Sequence, residues 1–503
     1  MTGQTQHGRE PWRERGVGSL FSVRVGPKLT GWDGILRFMI ERHYGQRQIA
    51  EGFFTEPIED WWEPWMKKAD EILDDEELID TVYEALRRRC PQSATRGRKG
   101  TPAEIVIRLM VLKHVRGWSY ETLEREVRAN MVYRMFTRIG AEKVPDAKTM
   151  GKLGQALGSE VVEDVHERLV GIARERKIVR GRKLRVDTTV VETNIHYPTD
   201  SSVLGDGVRV LTRTMQRLSS VMKTTSEKVR SRMRSASRRV MEIARASRRR
   251  GKGVEENRKR SYQRLLIITG QVVCQAERIS QSVKEWKRRP QRARRLQQEL
   301  DRMIGLVRQV MKQTKARIFA EDTHFTNKVA SVFEPQTEVI RKGKASKPTE
   351  FGKMVKIQEA ENQIITSYEV YRERPSDSDL LVKAVEEHRD RLGQVPDLVA
   401  ADAAFFSAAN EADIRAMGVQ RVSIPNRSTK SPERRQLQKS RWFKKGQKWR
   451  TGCEGRISVL KRRHGLNRCR YRGDDGMDRW VGFGVIADNL INMGRVLVTQ
   501  AAN

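Results

Sequence analysis

Apolar positions recur at helical spacing through most of the first 160 residues. Ile105, Leu109, Leu112 and Val115 share one face of a helix that opens at Thr101-Pro102, where proline suits the first turn, and closes at Gly117. Ser119 caps a second helix carrying Leu123 and Val127, and Pro145-Asp146 opens another that runs through Leu157. Short helices joined by tight turns fit a helix-turn-helix DNA-binding module, and equally a bundle used for packing or dimerisation. A helical N-terminal domain is therefore expected over 31–178, behind an aperiodic, flexible tail at 1–30. Trp61, Trp62 and Trp65 read as core or interface anchors.

The period changes at Lys183. Leu184, Val186, Thr188 and Val190 alternate with Arg185, Asp187, Thr189 and Val191, and β-branched residues dominate, which predicts a strand. Further strands are expected at Lys328–Phe333, Met354–Glu359, Ile364–Val370, Asp397–Ala401 and Val419–Ile424, with helices at about Asp379–Arg391 and Ser407–Met417. That order implies an α/β fold, a mixed sheet flanked by helices. Between the first strand and the rest lies a different pattern. Leu211, Met215, Leu218 and Met222 step by 4, 3 and 4, as do Leu296, Leu300, Met303 and Val307. Such spacing predicts long helices packed as a hairpin or coiled coil, a helical insertion at 208–318. The sheet domain then comprises 179–207 and 319–503.

Charge sharpens this picture. The 503 residues carry 99 Lys+Arg against 64 Asp+Glu, a formal charge of +35. Residues 201–320 hold 32 Lys+Arg and 9 Asp+Glu, so 32 − 9 = 23 of that excess lies in the insertion and its immediate flanks. A one-sided balance on long helices favours contact with a phosphate backbone and an affinity that falls with salt. The partner class is nucleic acid; a membrane surface fits less well. The most apolar stretch read from the sequence, Leu265 to Cys274, is too short for a bilayer, and the polar N-terminus has no signal-peptide core. Cys90, Cys274, Cys453 and Cys469 are scattered without a CxxC pair, which argues against a zinc ribbon or a disulfide scaffold and for reduced thiols.

Against so basic a background, acids in apolar surroundings need a reason. Asp187 sits inside Leu-Arg-Val-Asp-Thr-Thr-Val-Val, and Asp402 follows Leu-Val-Ala-Ala at a strand's carboxyl end, where ligands bind in open α/β sheets. Each could simply pair with a nearby base such as Arg185. Two carboxylates on neighbouring strands would instead repel unless a cation lay between them, and hard oxygen ligands suit Mg²⁺. A helix expected over about Lys448 to Arg463 places Arg450, Glu454, Ser458 and Lys461 on one face. By itself that face is an exposed ion-pair ladder, or else a metal-binding carboxylate between two phosphate-gripping cations. His196 and Asp200 are expected in a polar turn, Asp474, Asp475 and Asp478 in a glycine-flanked loop, and Glu192 on the opposite strand face from Asp187.

Together the three acidic segments resemble the DDE motif of bacterial insertion-sequence transposases, whose catalytic domain is ribonuclease H-like. In that family the first Asp lies on the first strand, the second after the fourth, and the Glu on a later helix; Asp187, Asp402 and Glu454 match in order and context. The family's Tyr-Arg-Glu-Lys spacing is met by Arg450, Glu454 and Lys461, but Gln447 stands in place of the Tyr, with Trp449 as a nearby aromatic surface. Ala487-Asp-Asn-Leu-Ile-Asn-Met-Gly-Arg is similar to the family's C-terminal helix, and Leu112-Lys113-His114 with Gly117-Trp-Ser-Tyr-Glu-Thr-Leu to its helical leader. The resemblance covers about residues 100–500.

It implies a catalytic trio of Asp187, Asp402 and Glu454 holding two Mg²⁺ ions, with Mn²⁺ a possible substitute, about 3.5–4 Å apart. It also implies DNA contacts from Arg450, Lys461, Arg456, Arg462, Arg463 and Trp449. The partners would be the terminal inverted repeats and target DNA, acted on by a homodimer in a bacterial cytoplasm at the nucleoid. A ribonuclease H-like nuclease that cuts without joining would keep the same acids. A non-catalytic DNA-binding protein would need only the basic helices.

Overall fold

A computed structural model of the protein describes residues 58–89, 98–222, 228–249, 253–286, 288–341 and 349–502, with positions 38–39, 42 and 251. The tail expected at 1–30 lies outside the described residues.

The N-terminal part is mostly helical: α1 (Pro64–Leu73), α2 (Glu76–Arg89), α3 (Ala103–Arg116), α4 (Tyr120–Ala129), α5 (Met131–Phe136) and α6 (Ala147–Glu175). It is not purely so, since β1 (Phe38–Met39) and β2 (Arg98–Lys99) pair in parallel. The sequence's punctuation holds. Gly117 ends α3 in the left-handed region, Ser119 accepts the Thr122 N–H at the start of α4, and Asp146 accepts the Thr149 N–H at the start of α6. A break at Gly158 (φ 77°) divides α6 just past the expected end at Leu157, and Asp475 accepts the exposed Ser159 N–H (3.0 Å).

One expectation changes here. α3 is buried on every side from Ala103 to Val115, so it is a central core helix and its surface cannot enter a DNA groove. Its Arg108 is wholly buried and donates to Asp70, to Asp74 (2.6 Å) and to the Phe136 carbonyl (3.1 Å). Hydrogen-bonded carboxylates are what make such a buried charge tolerable.

The chain then enters β3 (Lys183–Glu192) and leaves into α7 (Asp200–Met222), α8 (Met233–Ala246), α9 (Val254–Glu285) and α10 (Gln291–Phe319). These four helices pack on one another around Leu211, Met215, Leu265, Val272, Leu300 and Val307, a core of their own. Among the described residues the unit thus has four helices, where long helices packed as a hairpin or coiled coil were expected, and it starts at Asp200. Asp200 sits in the first turn of α7, buried and paired with Arg317 (3.1 Å), whereas a polar turn was expected.

The remaining elements are β4 (Glu338–Arg341), β5 (Thr349–Glu359), β6 (Ile365–Val370), α11 (Leu381–Leu392), β7 (Leu398–Ala400), α12 (Ala408–Ala416), β8 (Arg421–Ser423), α13 (Pro432–Lys439), α14 (Arg441–Arg463) and α15 (Gly473–Ala501). β5 runs antiparallel to β3, β4 and β6; β7 is parallel to both β3 and β8. The order across the sheet is therefore β6–β5–β3–β7–β8, with β4 beside the start of β5.

The strand expected at Lys328–Phe333 does not form. Gln313 of α10 takes both backbone groups of Val329, accepting its N–H (2.9 Å) and donating to its carbonyl (3.1 Å). Val329 and Val332 thereby join the core of the four-helix unit, and the strand pairing moves to β4. Asp474, Asp475 and Asp478 lie in the first turns of α15, not in a loop.

α15 is, among the described residues, a helix long and apolar enough to cross a membrane, more so than Leu265 to Cys274, but its apolar window is mostly buried inside the protein. Phe483, Ile486, Leu490 and Met493 share one core with α1, α3 and α6, so the C-terminal helix joins the N-terminal helices to the sheet. Asn489 makes the junction specific. Its Oδ1 accepts the Ile365 N–H and its Nδ2 donates to the Ile365 carbonyl (2.8 Å each), imitating a strand neighbour for β6. Asn489→Ala strands a buried N–H, a loss of about 2–3 kcal/mol, to be read as a lower urea midpoint with the denaturant slope unchanged.

Candidate active site

β3 and β7 pair in parallel as far as Arg185 opposite Ala400. Two residues further along each chain stand Asp187 and Asp402, so strand register alone brings the two acids to the same level of the sheet. Asp187 remains within β3, its side chain 15% exposed and its Oδ1 accepting the Thr188 N–H (2.8 Å). Asp402 lies just beyond β7 and caps a short turn, its Oδ1 accepting the Ala404 N–H (2.8 Å).

Glu454 arrives on α14, which packs across β3, β7 and β8. Small residues let the helix approach: a Cβ on Gly446 would lie 2.6 Å from Ser423 Oγ, and Gly452 backs directly onto the Arg185 guanidinium. Arg185, itself buried, donates to the Glu359 carboxylate on β5 and to the Trp449 carbonyl on α14. Its guanidinium also lies 4.9 Å from the centre of the Trp449 ring. Gln447 donates to the Ser423 carbonyl and, at 3.2 Å, to the carbonyl of Ala401, the residue before Asp402. The helix is therefore fastened to the strand ends on both sides of the acids.

Arg450 occupies the middle. Its guanidinium bonds Glu454 Oε1 (2.8 Å) and faces Asp187 Oδ2 across 3.9 Å, beyond hydrogen-bond reach. Burial, with repulsion from Asp402 and Glu454, pushes the Asp187 carboxyl up to about 6, while the Thr188 N–H and Arg450 pull the other way. All three acids thus share one electrostatic neighbourhood. They do not form a closed ligand cage: among the described residues no group of three or more His, Cys, Asp and Glu is gathered closely enough to hold a metal ion. Glu454 turns outward to Arg450, with its side chain 58% exposed. The donor chemistry nonetheless fits a hard divalent cation, being all carboxylate oxygen with Asp187 Oδ2 left without a hydrogen bond from Arg450.

The remaining expected contacts divide. Arg462 and Arg463 are exposed near the end of α14, and Lys461 is half-buried. Arg456 is corrected: it is buried and bonded to Asp488 of α15 (2.7 Å), so it secures the helix and presents no charge to a phosphate. The Trp449 ring already receives Arg185 and, at 5.9 Å, Lys183, which makes it a buttress rather than an open stacking surface. His196 lies 3.5 Å from Asp206, and Glu192 pairs with Arg468 (3.4 Å), both away from the trio.

Three neighbours of the site were not anticipated from sequence as parts of it. Gln447 was visible only as a departure from a motif. Arg185 was visible only as a local counter-ion for an acid. Asp377, which accepts from Thr188 Oγ1 (3.0 Å), carried no signal because 189 residues separate it from its partner.

Comparison with known proteins adds two matches. Residues 64–155, from α1 into α6, match a family described as Transposase domain (DUF772), and residues 414–494, from α12 into α15, match the Transposase DDE domain. No curated protein and no solved structure matches the chain. Glu454 lies inside the second match; Asp187, Asp402 and the four-helix unit lie outside both. The two matches support a DDE transposase of an insertion sequence, and the second implies an enzyme that cleaves and transposes DNA.

The raised Asp187 pKa has a defined sign. Between the ordinary value of 3.8 and about 6 the folded chain binds this proton more tightly than the unfolded one. The stabilisation is full below about pH 4 and is lost as pH rises through 6. Asp187→Asn cannot ionise, so without divalent metal its thermal midpoint should gain on the wild type from pH 4 to 7. A difference that does not change with pH would refute the shift.

Proposed function

We propose that this insertion-sequence transposase binds the terminal inverted repeats of its element and carries out metal-dependent DNA cleavage and strand transfer at Asp187, Asp402 and Glu454. One observation carries the reading. Acids 215 and 52 residues apart in sequence (402 − 187 and 454 − 402) come near one another where β3, β7 and α14 converge: Arg450 lies beside Asp187 and Glu454, and Asp402 and Glu454 both act on the Asp187 charge. The sheet order β6–β5–β3–β7–β8, three antiparallel strands followed by two parallel ones, supports a ribonuclease H-like catalytic domain.

Asp187, Asp402 and Glu454 would hold Mg²⁺, or Mn²⁺ in its place, which supplies Lewis acidity to the attacking and departing oxygens of phosphoryl transfer. The protein's own contribution is charge and position. Asp187 gives up its proton more readily once a cation offsets Asp402 and Glu454. Arg450 can exchange Glu454 for a phosphate oxygen, and its planar fork suits two oxygens at once. Lys461, two turns further along α14, would add a point charge beside the same strand, with Arg462 and Arg463 beyond it. No serine or tyrosine nucleophile is required.

Domain roles follow from this reading. Helices within 31–178 would bind DNA or a second subunit, 179–207 with 319–503 would catalyse, and the basic unit within 208–318 would grip DNA close to the acids. A homodimer would bring two element ends together.

The test incubates purified protein with the DNA flanking its own gene, with and without Mg²⁺. Asp187→Ala, Asp402→Ala and Glu454→Ala should each lower cleavage at least about a hundredfold while leaving DNA binding intact. Equal nicking by the triple variant would overturn the proposal. Cleavage without joined products would identify a nuclease instead.

A further inference from the structure

A concave basic feature lies beside the start of β3. Between the end of α6 and Lys183, the side chains of Arg174, Lys177, Arg180 and Arg182 line a pocket of about 340 Å³ floored by Val179, Leu392 and Gly393. No acidic residue lines it, and none of the four cations makes an ion pair with a described residue. Two nearby carboxylates are already bonded. Glu361 accepts the backbone N–H groups of Gly181 (3.2 Å) and Arg182 (2.7 Å), and Glu175 pairs with Arg168 (2.7 Å).

The segment presenting these charges is rigidly held. Asn362 donates to the Ile178 carbonyl (2.7 Å), Gln394 to the Arg180 carbonyl, and His388 Nε2 to the Gly181 carbonyl (2.9 Å). Burial lowers the His388 pKa. The Arg174 guanidinium lies over Gly393, where a Cβ would come within 2.8 Å of Nη2. The dipole at the end of α6 accounts for Arg174 and Lys177, but not for Arg180 and Arg182 beyond it. Four like charges around one small pocket repel, and an anion with several oxygens relieves the repulsion. A backbone fixed in advance also loses less freedom on binding.

We propose that this pocket is a duplex-DNA anchor that takes backbone phosphates without reading bases, separate from the carboxylate site. The four-residue rise from Lys183 to Asp187 along β3 already sets the two apart by about 13 Å. The inference rests on the DNA-handling role proposed above and adds a second place where DNA is held.

The experiment measures binding of the full-length protein to a labelled 30-base-pair duplex, in EDTA, by fluorescence anisotropy across a salt series. Lys177→Glu with Arg180→Glu should weaken binding at least about tenfold. The slope of log affinity against log salt should flatten by roughly 0.9 for each phosphate no longer neutralised. Lys177→Gln with Arg180→Gln should give a smaller change in the same direction, and both pairs should keep the wild-type thermal midpoint. Lys430→Glu with Lys439→Glu, an equal charge change at exposed positions before and at the end of α13 and outside the segments assigned to DNA contact, serves as the control. An equal weakening in the control, or a salt slope unchanged in the pocket variants, would overturn the anchor while leaving the proposed function standing. A wild type that binds no duplex would overturn both.

Discussion

The candidate site depends on one buried guanidinium. Arg185 joins β5 through Glu359 and α14 through the Trp449 carbonyl, while lying against the Trp449 ring and beneath Gly452. Glu359 is fully buried, and burial raises its pKa even though Arg185 opposes the rise. Such a pair is costly to assemble and still more costly to break, because loss of one partner leaves the other charge buried and alone. Its consequence is positional. With α14 pinned here and by Gln447 at the strand ends, Arg450 has little choice but to face Asp187, with Glu454 bonded on its outer side.

The electrostatics of the pocket run against the rest of the molecule. A chain with a +35 excess gathers acids where an exposed surface would favour none. Burial and mutual repulsion hold the Asp187 pKa at about 6, and Arg450 stands between the acids as an internal cation. The same side chain that holds Glu454 carries the planar fork that suits a phosphate.

The C-terminal helix ties distant parts of the chain together. Lys113, in the helical leader, is buried among the rings of Tyr120, Tyr471 and Trp480, each 4.7–5.1 Å away. Burial, aided by Arg470, lowers its pKa to about 7, and cation–π attraction compensates part of the lost hydration. Two of these rings come from beyond residue 470, so the leader motif and the C-terminal helix are halves of one packed core. With Asn489 on β6 and Asp488 on Arg456, α15 acts as a structural spine.

Periodicity, caps and β-branched runs determined most elements by themselves, because helix and strand patterns and the capping at Ser119 and Asp146 are local properties. The candidate acids Asp187, Asp402 and Glu454 could be picked out too, by their place in a linear motif. Tertiary structure alone decided that Arg456 is a core ion pair rather than a DNA contact, since the residue that neutralises it, Asp488, lies 32 positions away on another helix. It also decided that Val329 bonds a glutamine instead of a strand, and that α3 is surrounded by protein. Burial and partner choice depend on which surfaces meet. Those meetings are set by long-range packing, which no local window of residues contains.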